Sequence, residues 1–123
     1  MICITNLTKK RQPFGDSKIL LQKIKEEVLG KKYSLSVVFA PSALMEKLNI
    51  RYRDKIKTAT VLSFSLSKEE GEIFINLQQK KHHPLFLFIH ALLHLKSLKH
   101  GAKMEEQEKK LLKKHGSRYC HRN

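Results

Sequence analysis

Twelve consecutive residues, 84–95 (PLFLFIHALLHL), contain no polar side chain except two histidines. The opening proline suits the first turn of a helix, where no backbone N–H is needed. A helix that is apolar on nearly every side must be buried, so the rest of the chain has to wrap around it. The run is too short to cross a bilayer and is interrupted by histidine. It is therefore read as the core helix of a globular domain, against which other elements pack.

The flanking segments supply those elements. ICITN, near the N-terminus, reads as a first strand. DSKILLQKIKEEVLG reads as an amphipathic helix with Asp16 as N-cap, Gly30 as stop, and Ile19, Leu20, Ile24 and Val28 on one face. SLSVVFA is a strand rich in β-branched residues. PSALMEKLNIRYR reads as a second helix with Ser42 as cap and Leu44, Leu48 and Tyr52 inward. ATVLSFSL and EIFINL form a hairpin across SKEEG, a loop slightly longer than the tightest turns. KMEEQEKKLLKK is a last helix with a thin apolar stripe of Met104, Leu111 and Leu112, followed by a basic tail from about residue 115. Alternating helices and strands, then a hairpin, then helices, predict one α+β (or α/β) domain over residues 1–123: a single mixed sheet of about four strands packed with helices.

The formal net charge is +14. Such an excess attracts polyanions, above all nucleic acid, although a lysine-rich solvated surface carries the same charge. The two cysteines, Cys3 and Cys120, form no CxxC pair, and MICITNLTKKRQPFG lacks the layout of a signal peptide. A reducing, cytoplasmic location is the expectation, with no membrane partner.

Within the core helix, His90 and His94 are four residues apart, so they lie about 40° apart on one face and one turn apart along the axis. That places two imidazoles for one divalent ion, and it also fits two hydrogen-bonded core histidines. His100 follows six residues later. It reaches the same face only if the helix ends near Leu95–Leu98 and the chain folds back. Three imidazoles with an open fourth position describe a catalytic zinc site at the C-terminal end of a buried helix, with one Zn2+ per chain. The spacing is shared with the zincin motif H-E-x-x-H-x-x-G-x-x-H, but the glutamate that serves as base there is Ala91 here.

A second constellation lies upstream, LNIRYRDKIKTATVLSF at residues 48–64. Together with the histidine segment it resembles the YbeY family of endoribonucleases, the rRNA maturation factors. That family carries a pattern like L-N-x-x-Y-R-x-K-D-x-x-T-D-V-L-S-F, then G-D-I, then H-G-x-L-H-L-x-G-Y-D-H. The chain matches at Leu48, Asn49, Tyr52, Arg53, Lys55, Val61, Leu62, Ser63, Phe64, Gly71, Ile73, His90, Leu93, His94, Leu95 and His100. It departs at Ile56, Ala59, Thr60, Glu72, Ala91, Ser97, Leu98 and Lys99, where the family has Asp, Thr, Asp, Asp, Gly, Gly, Tyr and Asp.

The resemblance implies a metal-dependent endoribonuclease acting on single-stranded RNA. It further implies a role in rRNA maturation and ribosome quality control, with the small ribosomal subunit as partner. It maps the catalytic set onto Arg53, His90, His94 and His100, with the three histidines as metal ligands. Arg53 would stabilise charge developing on the phosphoryl group. Zinc would either activate a water or polarise a phosphoryl oxygen, and the sequence leaves both open. Lys9, Lys10, Arg11, Lys31, Lys32, Lys80, Lys81 and the tail would follow the RNA backbone. Tyr52 and Phe64 read as core residues rather than base-stacking platforms. His82 and His83 read as capping or surface residues. The rival classes are an RNA- or ribosome-binding module whose zinc is purely structural, and a zincin-like peptidase lacking its base.

Overall fold

The computed structural model describes residues 1–11, 18–53, 59–96 and 101–115, the side chain of Arg53 excepted. The elements run β1 (Ile2–Asn6), α1 (Lys18–Leu29), β2 (Ser34–Ala40), α2 (Ser42–Arg53), β3 (Val61–Ser67), β4 (Glu70–Asn76), α3 (Pro84–Leu95) and α4 (Ala102–His115). The four strands form one sheet in the order β1-β2-β4-β3. β2 pairs parallel with β1 and with β4, while β3 closes the edge antiparallel to β4. This is the mixed sheet that the element order predicts.

Alternation along the strands sorts the core onto two faces. Leu35, Val37 and Phe39 of β2 and Ile73 and Ile75 of β4 meet α1, α3 and α4 in the larger cluster. Ala40 and Leu62 point the other way, where Met45 of α2 covers them, with Phe64 and Phe74 packed alongside. α3 lies at the centre of the larger cluster, with Leu85, Leu87, Phe88, Ile89, Ala91, Leu92 and Leu93 all buried. Its solvent-facing stripe is narrow: Phe86, His90 and His94, one turn apart, are half-buried.

α3 begins at Pro84, as its sequence predicts. His83 is the N-cap, its Nδ1 accepting from the Leu85 N–H at 3.1 Å. The helix stops at Leu95, where the Lys96 N–H donates to the Leu92 carbonyl at 3.0 Å. The end therefore falls where His100 would need it, although residues 97–100 lie outside the described residues.

Four local expectations are corrected. In α1 the buried stripe is Leu21, Ile24, Lys25 and Val28, and Ile19 is exposed. Ile19 is two residues, or about 200°, from Leu21 and so faces away. Lys25 joins the buried face because its Nζ donates to the carbonyls of Gly30, Lys31 and Tyr33, the last at 2.9 Å. The expected cap Asp16 lies outside the described residues. Ser42 is not the cap of α2 but a helical residue: the Pro41 carbonyl accepts from Leu44 and Met45. The Ser42 N–H donates to Gln78 Oε1 at 2.6 Å, and its hydroxyl accepts from Asn76 Nδ2 at 3.1 Å.

Tyr52, expected inward, is 58% exposed. It sits on the last turn of α2, with its ring against Phe64 of the edge strand β3 (centroids 5.3 Å apart), and among the described residues no further strand follows to cover it. Finally, the hairpin turn is tighter than expected. Only Lys68 and Glu69 separate β3 from β4, and a register shift between Ser65 and Ser67 absorbs the mismatch.

Candidate metal centre

His90 and His94 project from the second and third turns of α3, at the only positions there that are neither apolar nor fully buried. The Nε2 atom of His94 lies 3.2 Å from Nε2 of His90, and the ring centroids are 4.7 Å apart with planes at 77°. Two imidazole nitrogens bound to one tetrahedral ion at about 2.0–2.1 Å would lie about 3.3 Å apart. The observed pair has that spacing, which a hydrogen bond between the two nitrogens gives as well. Phe86 flanks His90 on the preceding turn, with centroids 5.8 Å apart, and His82 stacks beyond it at 5.2 Å.

The other nitrogen of His90 is also engaged. Nδ1 is in hydrogen-bond contact with Oε2 of Glu108, on α4. Glu108 is buried with Met104 and Leu111 on the inner stripe of α4, and its side chain is 9% exposed. Sequence reading missed it, because Glu108 stands among Glu105, Glu106, Lys109 and Lys110 in an ordinary charged helix. The available signal was its place four residues after Met104 and three before Leu111, on the buried stripe.

The residues present fit a metal. Two neutral imidazoles supply nitrogen donors at ligand spacing, and a carboxylate accepts the remote N–H of one of them, as is usual for metal-bound histidine. Among the described residues no third His, Cys, Asp or Glu completes a ligand set with them. The third expected ligand, His100, lies outside the described residues. Arg53 ends α2, and its side chain also lies outside them. Ala91, at the position of a zincin's catalytic glutamate, is 1% exposed and packed in the core.

His83 caps α3 and burial pushes its pKa down, so it stays neutral and accepts the Leu85 N–H. It acts locally, as expected. Lys9, Lys10, Arg11, Lys31, Lys32, Lys80 and Lys81 are all exposed, and Lys10 also donates to the Leu77 carbonyl at 3.0 Å. Phe64 is half-buried between Tyr52 and Phe74, and the Arg51 guanidinium lies 5.6 Å from the Tyr52 ring centroid. Cys3 is a free, exposed thiol. Among the described residues, no helix is long and apolar enough to cross a membrane.

The chain is similar to Endoribonuclease YbeY of Ehrlichia chaffeensis, with 33% identity over 117 residues covering 82% of this chain and 76% of the relative. Endoribonuclease YbeY of Ehrlichia ruminantium is 34% identical over 131 residues, covering 89% and 83%. That of Campylobacter jejuni is 35% identical over 103 residues, covering 68% and 76%. The solution structure of TM1509 from Thermotoga maritima superposes with a TM-score of 0.68 over 97% of this chain and 91% of that one, at 21% identity. It shares the fold. The family model described as Endoribonuclease YbeY matches residues 6–122, and the chain therefore belongs to the YbeY family.

Proposed function

We propose that this protein is a metal-dependent endoribonuclease that cuts single-stranded RNA, with zinc as its ion and ribosomal RNA maturation and quality control as its setting. The observation that carries the reading is the 3.2 Å approach of the His90 and His94 Nε2 atoms in a chain of this family. His90, His94 and His100 are the proposed ligands. Bound there, the ion supplies Lewis acidity to a phosphodiester in an otherwise apolar wall. The protein's own contribution is placement. α3 is packed on nearly every side, so its two histidines are held on a rigid element.

Arg53 is the proposed stabiliser of charge that accumulates on the phosphoryl oxygens, a task suited to a fixed guanidinium. The exposed lysines and Arg11 contribute a sequence-independent attraction for the RNA backbone. Ala91 offers no general base, so peptide hydrolysis is not proposed.

The test is cleavage of a single-stranded RNA oligomer by the zinc-loaded protein, with His94→Ala purified identically as the control for contaminating nucleases. Cleavage by the parent alone is expected. Equal cleavage by both, or none by either, overturns the enzyme reading. A second reading is then favoured by the net charge of +14 and by Ile56, Thr60 and Lys99, which stand where the family has aspartates: an RNA- or ribosome-binding module with a structural metal.

A further inference from the structure

Glu108 is the one carboxylate buried among the described residues. Its neighbours on the inner stripe of α4, Met104 and Leu111, are apolar. A buried carboxylate carries a desolvation cost that an apolar side chain at the same place would avoid. Packing alone therefore gives no reason for an acid here. What Glu108 has that leucine would lack is a strong acceptor, and it is aimed at His90 Nδ1 across a loop, 18 residues away.

That contact has a consequence at the opposite corner of the ring. A neutral imidazole carries one proton, on either Nδ1 or Nε2. A carboxylate at Nδ1 holds the proton there and leaves Nε2 with a bare lone pair, the form a metal requires. The same bond stops rotation of the ring about its Cβ–Cγ axis. Because Glu108 meets Nδ1, it does not occupy the Nε2 corner of the ring, where His94 approaches. Its place is behind His90 rather than among the ligands.

We infer that Glu108 is a positioning residue of the metal centre, fixing the tautomer and orientation of His90 so that its Nε2 is presented beside that of His94. The inference rests on the reading that His90 and His94 hold a metal. It also assigns α4 a task beyond covering the core, since α4 couples the packing of the C-terminal helix to metal affinity.

The experiment uses the full chain and its Glu108→Gln and Glu108→Ala variants. Zinc affinity is measured by competition with a chromophoric chelator. The His90 tautomer is read from the ring 15N shifts of the metal-free protein, and folding from urea denaturation of the metal-free protein. The parent is expected to bind one zinc ion and to show the Nδ1–H tautomer at His90. Glu108→Ala should weaken zinc binding by about 10–100-fold. Glu108→Gln, nearly isosteric, should stay folded and bind with an intermediate loss, because an amide oxygen is a weaker acceptor than a carboxylate. Its His90 should show a mixture of tautomers, which a merely structural role would not produce. If Glu108→Ala does not fold, Glu108→Gln decides alone. Parent-like zinc affinity in the folded variants, or an Nε2–H tautomer in the parent, overturns the role of Glu108 and leaves the metal site standing. A parent that binds no zinc overturns the metal reading and the inference with it.

Discussion

Gly71, on β4, offers a quantitative test of how tightly the sheet is joined to the end of α3. A Cβ added at Gly71 would lie 2.2 Å from the Tyr33 hydroxyl oxygen and 3.1 Å from both Tyr33 Cζ and Leu95 Cδ1. Ordinary contact begins near 3.4 Å, so the phenol would have to withdraw by more than an ångström. Tyr33 is only 6% exposed and belongs to the main core cluster, so the displacement spreads into packed neighbours. Gly71→Ala is expected to destabilise by about 1–3 kcal/mol, the usual range for overpacking a core. For a chain of this length that corresponds to a fall in Tm of about 4 °C per kcal/mol.

The clash has a named cause, and so a named remedy. Tyr33→Phe removes the oxygen at 2.2 Å and leaves Tyr33 Cζ and Leu95 Cδ1, both at 3.1 Å, as the nearest atoms. The double variant should recover most of the loss, giving a coupling of about 1–2 kcal/mol in a double-mutant cycle. Urea denaturation of the four proteins measures it. Additive effects, or a Gly71→Ala protein as stable as the parent, would refute the steric reasoning. Leu95 is the residue after His94, so the same substitution should also weaken zinc binding, and Tyr33→Phe, which leaves the Leu95 contact in place, should restore it only in part.

Other outcomes follow from the same structure. Phe88 is fully buried in the main cluster, and Phe88→Ala should cost about 3–5 kcal/mol in denaturant unfolding. Burial lowers the His83 pKa, so below about pH 6.5 the unfolded chain binds the extra proton first. The stability His83 contributes is whole above that pH and is lost as pH falls through the window beneath it. His83→Asn should keep the cap and flatten this dependence, as measured by stability against pH. Burial would raise the Glu27 carboxyl, but hydrogen bonds from Lys114 and His115 outweigh it and hold the pKa below the ordinary value. Its contribution is therefore present above about pH 4.5 and lost as pH falls, so Glu27→Gln should blunt acid sensitivity in a melting series. Arg53→Ala should slow RNA cleavage far more than it weakens RNA binding, and binding should weaken steeply with salt; equal losses in the first assay or a flat response in the second would refute those roles.

Much of this architecture is legible locally, and the reason is periodicity. α3 follows from a run that can only be buried and from a proline that can only open it. The strands follow from β-branched residues between turn signals. His90 and His94 follow because spacing along one helix is a property of that helix alone. The misreadings have the opposite character. Ile19, Ser42 and Tyr52 were placed by their nearest neighbours in sequence. Helical spacing alone turns Ile19 outward, whereas the surroundings of Ser42 and Tyr52 come from Gln78 and Asn76 meeting the start of α2 and from β3 being the sheet edge.

The order of helices and strands, the buried core helix and the paired imidazoles were determined by sequence, because each depends on interactions within a few residues. The pairing order β1-β2-β4-β3, the packing of Tyr33 against Gly71 and the meeting of Glu108 with His90 were decided by tertiary structure. Only its spacing from Met104 and Leu111 distinguishes Glu108 in the chain from Glu105 or Glu106. Only the docking of α4 on α3 turns one of these acids inward, where a hydrogen bond to a half-buried imidazole offsets the cost of leaving water.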